Sequence, residues 1–208
     1  MPSDIKLYNM DCMEAMKDMP DKAFDLAIVD PPYGIGNFIP QGGKQAAGKF
    51  SNVEWNNNIP IPKYFEEVNR VSINRIIWGA NYYNKFDDIG GAIVWDKCRG
   101  NPLMSKCEIA SCSLHKRVEY FRYSWNGFQI TRENTIHPCQ KPVALYKWIL
   151  KNYAKDGDRI LDTHLGSGSI AIACYDMGFD LVGYEIDKDY YGAAVKRLEN
   201  HKKQLQLF

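Results

Sequence analysis

The 208-residue sequence has almost no net charge: 26 lysines and arginines stand against 25 acids, for a total of +1. That balance excludes a histone-like polyelectrolyte, although a local basic patch can hide inside a neutral total. No run of about 18 apolar residues occurs, so no segment reads as a membrane span. The opening stretch, MPSDIKLYNMD, carries early acids and no apolar core, which argues against a signal peptide. The six cysteines (12, 98, 107, 112, 139 and 174) contain no C-x-x-C pair. Without a secretory signal they read as free thiols of a cytoplasmic protein. A zinc set drawn from Cys107, Cys112 and His115 lacks a paired knuckle and a clear fourth ligand, so no metal is expected. Repeats and low-complexity stretches are absent as well. What remains is an ordinary globular mixture, 45% hydrophobic and 25% charged, in the length of one domain with a core of useful size.

Strand and helix patterns alternate along the chain. IKLYN and DLAIVD read as strands flanking a short helix, CMEAMKDM, with Asp11 as its N-cap. DLAIVD is a short apolar run stopped by two prolines, as a buried parallel strand would be. GIGNFIPQGGKQAAGKF then reads as a long functional loop. A helical pattern starts at Pro62, and RIIWGA and GGAIVWDK follow as strands. The last third is the most regular: an amphipathic helix from Pro142 to Tyr153, the strand and Gly-loop DRILDTHLGSGS, the helix IAIACYDMG, the strand FDLVGYEID and a charged C-terminal helix. This alternation predicts a three-layer α/β/α fold around a mostly parallel sheet.

Residues 97–132 differ in character. Lys97, Arg99, Lys106, Lys116, Arg117, Arg122 and Arg132 oppose only Glu108 and Glu119, a local charge of +5, and aromatics interleave with them. Such a mixture suits a surface that tracks a phosphate backbone and stacks bases, with Lys97, Arg99, Lys116, Arg117 and Arg122 as DNA contacts. A β-hairpin with an ordinary solvated face fits the same pattern.

Two segments carry chemistry. Gly166-Ser167-Gly168-Ser169-Ile170-Ala171 fits G-x-G-x-x-G/A between a strand and a helix, where tight backbone and free helix N–H groups receive a nucleoside compound. Glu185, nineteen residues after Gly166 at the next strand end, is placed to accept hydrogen bonds from ribose hydroxyls. A dinucleotide needs a second half-site, and the chain ends soon after Glu185. A single-nucleoside cofactor, S-adenosylmethionine (SAM), suits this better, with Asp162 available for its ammonium group. The second segment is Asp30-Pro31-Pro32-Tyr33 at the end of a strand. Two prolines stiffen the turn. Asp30 and the Pro31 carbonyl can accept the hydrogens of an exocyclic amine, and Tyr33 offers a face for a base.

Taken together, VDPPYG, HPCQKP (137–142) and LDTHLGSGS with GYEID resemble the amino-methyltransferases of DNA, in the circularly permuted β group whose D-P-P-Y segment precedes the Gly-loop. WDK (95–97) with Cys107 to Ala110 is similar to a segment of small phage-like adenine methylases. The resemblance runs from about Tyr8 to Tyr191. It implies a Rossmann-like SAM-dependent methyltransferase acting on a flipped adenine in double-stranded DNA; a cytosine-N4 enzyme and a catalytically silent SAM- or DNA-binding module are the alternatives. It implies catalytic roles for Asp30, Pro31, Pro32 and Tyr33. The cofactor set it implies is Asp11, Cys12, Asp30, His137, Gln140, Lys141, Pro142, Asp162, Thr163, His164, Gly166, Ser167, Gly168 and Glu185. Departures are His164 for the family's phenylalanine, Ser169 for a threonine and Cys139 for the threonine of H-P-T-Q-K-P. The chain leaves only residues 97–132 for target recognition, so a short recognition sequence or a homodimer is expected.

Overall fold

Side-chain alternation in one strand explains the layering. On Phe24–Val29 (β2), Leu26 and Ile28 enter one core, while Ala27 and Val29 enter another. A strand buried on both faces needs a helix layer on each side. The computed structural model, which describes residues 3–36, 56–98, 105–125 and 135–205, has that form. The reading of the segment after Pro32 as a long loop falls, for residues 37–55, outside the described residues.

Among the described residues, eight strands form one sheet: Ile5–Asn9 (β1), β2, Ser72–Trp78 (β3), Gly91–Asp96 (β4), Cys107–Cys112 (β5), Val118–Arg122 (β6), Arg159–Asp162 (β7) and Asp180–Glu185 (β8). Their spatial order is β1-β8-β7-β2-β3-β5-β4-β6. β5 pairs antiparallel with both β3 and β4, and the remaining pairings are parallel. Cys12–Lys17 (α1), Pro62–Val71 (α2) and Ala80–Tyr83 (α3) supply Met16, Val68 and Tyr83 to one core. Val143–Tyr153 (α4), Ser169–Met177 (α5) and Lys188–Leu205 (α6) supply Ile149, Ile170 and Leu198 to the other. The fold is a Rossmann-like α/β sandwich, as the alternation of elements predicts.

Two features depart from expectation. The described residues of the stretch 97–132, expected to form a small target-recognition insert, are part of the main sheet: β5 lies inside it and β6 at its edge. These strands do not make a hairpin, because β4 lies between them. The small buried residues Ala110 and Ser111 let β5 sit between β3, against Trp78 and Ile77, and β4, against Ile93 and Ala92. Among the described residues, no helix is long and apolar enough to cross a membrane. No group of three His, Cys, Asp or Glu among them is placed to hold a metal ion.

Candidate active site

In parallel α/β sheets, ligands settle beyond the carboxyl ends of the strands. Here β2 ends into Asp30, β7 into the Gly-loop and β8 at Glu185. Between them lies a cleft of about 390 Å³, within the range of small-molecule sites. The turn from Asp30 to Tyr33, the segment His137–Lys141, the loop His164–Ser167 and Glu185 all line it. Of the sequence-predicted cofactor residues, Asp11, Cys12, Pro142, Asp162, Thr163 and Gly168 do not line it. Asp11 caps α1, accepting the Met13 N–H at 2.8 Å. Cys12 is buried, which pushes its thiol up to about 12. Pro142 caps α4, and Gly168 caps α5 at φ +70° with Ala194 directly against its α-carbon.

The D-P-P-Y turn is braced from three sides. The Tyr83 hydroxyl donates to the carbonyls of Pro31 (2.5 Å) and Pro32 (3.0 Å). Tyr33 donates its backbone N–H to Asn56 Oδ1 at 3.0 Å. Its ring stacks on Tyr82 with centroids 4.8 Å apart, so one face is already covered. Gly79 follows β3 at φ +80°, and a Cβ there would stand 2.4 Å from the Tyr33 ring. Glycine is required both for the backbone angle and for the ring's position. None of these braces carries a sequence signal strong enough to find it in advance.

Beneath the turn lies a row of buried charges. Tyr33 donates its hydroxyl to Asp30 Oδ1 at 2.6 Å, and Lys141 pairs with Asp30 Oδ2. Lys141 also meets Glu108 at 2.9 Å and the Tyr33 oxygen at 3.0 Å, while Glu108 pairs with Lys97 on its other side. Burial pushes the Asp30 carboxyl above the usual carboxylate range, against the pull of Lys141. Burial also works against the charge of Glu108, yet Lys141 and Lys97 together hold it well below that range. Lys141 resists desolvation because Asp30 and Glu108 raise it above its ordinary value. Burial pushes the Tyr33 phenol upward, and Asp30 adds to it, so Tyr33 remains neutral.

On the Gly-loop side, Glu185 accepts the N–H of Gly166 at 2.7 Å and that of Asp187 at 2.9 Å. Arg197 on α6 donates to the Ser167 carbonyl and the Ser169 hydroxyl, both at 2.9 Å, and so ties the loop to the C-terminal helix. Thr163 bonds the Tyr64 hydroxyl at 2.7 Å and His164 Nδ1 at 3.0 Å. Burial lowers His164 to about 4 and, with Lys141, His137 to about 3, so both rings are neutral near pH 7. A cleft with the Glu185 carboxylate on its wall and the Gly-loop backbone near a helix start fits a nucleoside cofactor carrying hydroxyls and an amino-acid tail.

Asp162, 1% exposed, accepts the His164 N–H at 3.0 Å, and burial pushes its carboxyl up to about 8. An unfolded aspartate titrates near about 3.9, so from about pH 4 to about pH 8 the folded chain keeps a proton that the unfolded chain has lost. This group therefore makes stability fall as pH rises through that window. Asp162→Asn removes the effect. Its unfolding free energy relative to wild type is expected to improve steadily from pH 5 to pH 8, read by thermal melts; a pH-independent difference would refute this.

A DNA methylase family profile of the N6/N4 type matches residues 78–196, more than half of the chain. The chain belongs to the N6/N4 DNA methylase family. It is 26% identical to the Type II methyltransferase M.ScaI of Streptomyces caespitosus, over 98% of this chain and 84% of that one. It is 25% identical to M2.DpnII of Streptococcus pneumoniae, over 93% and 89%. Among solved structures, the M1.HpyAVI–SAM complex matches with a TM-score of 0.60 at 23% identity, covering 93% of this chain and all 100% of that one. The cytosine-N4-specific PvuII DNA methyltransferase matches with a TM-score of 0.63 at 12% identity, over 98% and 92%.

The basic residues of this methylase do not form one face. β4 and β6 run parallel, and the turn from β5 to β6 lies at their amino ends, since Gly91 pairs with Cys112 and Ala92 with Val118. Lys116 and Arg117 sit in that turn, at the opposite edge of the sheet from Asp30. Strands of five or six residues put about 17–20 Å between the two edges. Lys97 is buried and paired with Glu108, so it belongs to the charge row and not to an exposed surface. Arg99 lies outside the described residues. Arg122 ends β6 on the catalytic edge, with its side chain 70% exposed. The zinc set read from Cys107, Cys112 and His115 does not assemble: Cys107 is exposed and Cys112 buried at opposite ends of β5.

Proposed function

We propose that the methylase transfers a methyl group from SAM to the exocyclic N6 of an adenine flipped out of double-stranded DNA, as a D-P-P-Y enzyme of the permuted β group. The observation that carries this reading is Asp30 on the wall of the cleft that also holds the Gly-loop and Glu185. SAM is the cofactor; it supplies a methyl group on a positively charged sulfur. Glu185 would hold the ribose hydroxyls, Gly166 and Ser167 would receive the amino-acid end, and His137, Gln140 and Lys141 would close that end. Asp30 accepts a hydrogen bond from the target amine and favours the tetrahedral nitrogen that attacks; the Pro31 carbonyl keeps a lone pair for the second hydrogen. The open side of Tyr33 receives the base. Rate comes from positioning and from the charge facing the amine.

Cytosine N4 is the second reading, because a cytosine-N4-specific enzyme shares the fold. The aspartate of D-P-P-Y favours adenine. Incubation with labelled SAM and unmethylated genomic DNA, followed by nucleoside analysis, tests both. N6-methyladenine is expected; N4-methylcytosine would replace the reading, and unlabelled DNA would end both.

Among the described residues, Arg122 and Lys106 are both exposed on the catalytic edge and are the DNA contacts this reading proposes. Arg122→Ala is expected to weaken DNA binding and reduce the slope of log affinity against log salt by about one. Arg117→Ala, at the far edge, is expected to leave that slope unchanged. Equal effects of the two would place the DNA elsewhere. A homodimer would add phosphate contacts, which sedimentation at micromolar concentration reads directly. Cytosolic DNA is the substrate this reading implies.

A further inference from the structure

Side chains two apart along a strand share a face. On β2 the row Leu26, Ile28 continues to Asp30; on β4, Ile93 and Trp95 continue to Lys97; on β5, Cys112 and Ala110 lead back to Glu108. The strand order β2-β3-β5-β4 gathers these three ends at one edge of the sheet, over Trp78. Lys141 enters the same edge from the segment before α4. The outcome is a row of alternating sign: Lys97, Glu108, Lys141, Asp30. The Lys141 side chain is 2% exposed, and its three N–H donors meet Asp30, Glu108 and the Tyr33 oxygen. Glu108 does not line the cofactor cleft; it acts on that site through its contact with Lys141 and through its charge beside Asp30.

We propose that Glu108 is a positioning residue for methyl transfer: by sharing the Lys141 ammonium while anchored on Lys97, it keeps Asp30 an effective hydrogen-bond acceptor instead of a carboxylate committed to Lys141. The inference rests on the role proposed above for Asp30. Without the Glu108 charge, two buried cations face a single carboxylate. Asp30 is then held more firmly ionised and accepts from an amine less well. Removing Lys97 has the reverse effect, because one cation fewer faces the row.

Other ionisable groups surround Asp30. Tyr33 lies on its own turn, Tyr64 on α2, Tyr83 on α3 and Tyr146 on α4, and all four are pushed upward and neutral. Cys139 is pushed upward as well and is neutral. His137 and His164 carry no charge above about pH 4, and Asp162 holds its proton up to about 8. Among the described residues, the charges of the row beside Asp30 between pH 5 and pH 7 are therefore those of Lys141, Glu108 and Lys97, with Glu185 and Asp187 across the cleft unchanged in every variant compared.

The test is the pH dependence of single-turnover methyl transfer to unmethylated genomic DNA at saturating SAM, in wild type, Glu108→Gln and Lys97→Met. Asp30 must be ionised to accept the amine, which gives an acid limb. Glu108→Gln is expected to move that limb down by about one pH unit and Lys97→Met to move it up, a nearby charge being worth about that much or more. SAM affinity is expected to stay unchanged in both. A residue that only supports the fold would lower the plateau rate without moving the limb in opposite directions, and that result, or shifts of one sign, would overturn the inference. Should a variant fail to fold, the ¹³C carboxyl titration of Asp30, assigned by its loss in Asp30→Asn, decides the matter in the variant that folds; an unmoved titration overturns the inference. Wild-type protein that transfers no methyl group to DNA would refute the functional reading instead, and the ¹³C titration would still decide the role of Glu108.

Discussion

Asp30→Ala is expected to abolish methyl transfer while leaving SAM affinity nearly intact. The Asp30 carboxylate is the negative group facing the target amine, and loss of one such preorganised group costs about 10²–10³-fold in rate. Its Oδ1 also receives the Tyr33 hydroxyl at 2.6 Å. Removing it frees the ring on which a base would rest, and a misplacement of about 1 Å costs up to about another 10²-fold. The two effects together bring the rate to about background. Glu185 and the Gly-loop make no contact with Asp30 among the bonds described, so SAM binding measured by calorimetry should persist. Asp30→Asn keeps the volume and removes the charge, and it should lose nearly as much activity. A variant that binds SAM poorly but still methylates at high SAM would assign Asp30 to the cofactor alone.

Lys141→Met carries the second large effect, on stability as well as rate. Methionine keeps most of the stem but removes the cation that Asp30 and Glu108 share. Breaking a buried ion pair by removing one partner costs about 3–5 kcal/mol, because the other charge is left uncompensated. Glu108 retains Lys97, so the orphan is Asp30. Without Lys141 the Asp30 carboxyl rises further above its unfolded value, and the folded variant keeps a proton that its unfolded chain releases above about pH 4. The loss of stability is therefore smallest in acid and grows as pH rises. Urea midpoints at pH 5 and pH 8 measure it; a deficit that shrinks toward pH 8 would contradict the assignment.

Much of the fold was legible because its signals are local. The apolar run DLAIVD ending at Pro31-Pro32 marks β2, Asp11 marks the start of α1, and Gly168 and Gly178 bracket α5. The D-P-P-Y turn, the Gly-loop and Glu185 were recognisable as chemistry, and they line one cleft. The basic stretch was misread for a physical reason. Charge counted along a chain ignores which way each strand runs. Here β5 reverses direction inside the sheet, so Lys97 and Arg117 end at opposite edges, one buried and one exposed.

The braces of the catalytic turn were illegible for the same reason. Asn56, Gly79, Tyr82 and Tyr83 reach Tyr33 and the prolines only through the packing of distant segments.

By itself the sequence determined the alternation of strand and helix, the two-sided burial of the central strand and the residues able to hold a nucleoside and an amine. Those follow from hydrophobic period, turn chemistry and glycine, which act over a few residues. The tertiary structure alone decided that β5 lies between β3 and β4, and with it that Glu108 and Lys97 join Lys141 beneath Asp30. Strand neighbours are chosen by long-range packing, and the charge state of a buried carboxylate depends on which neighbours it receives.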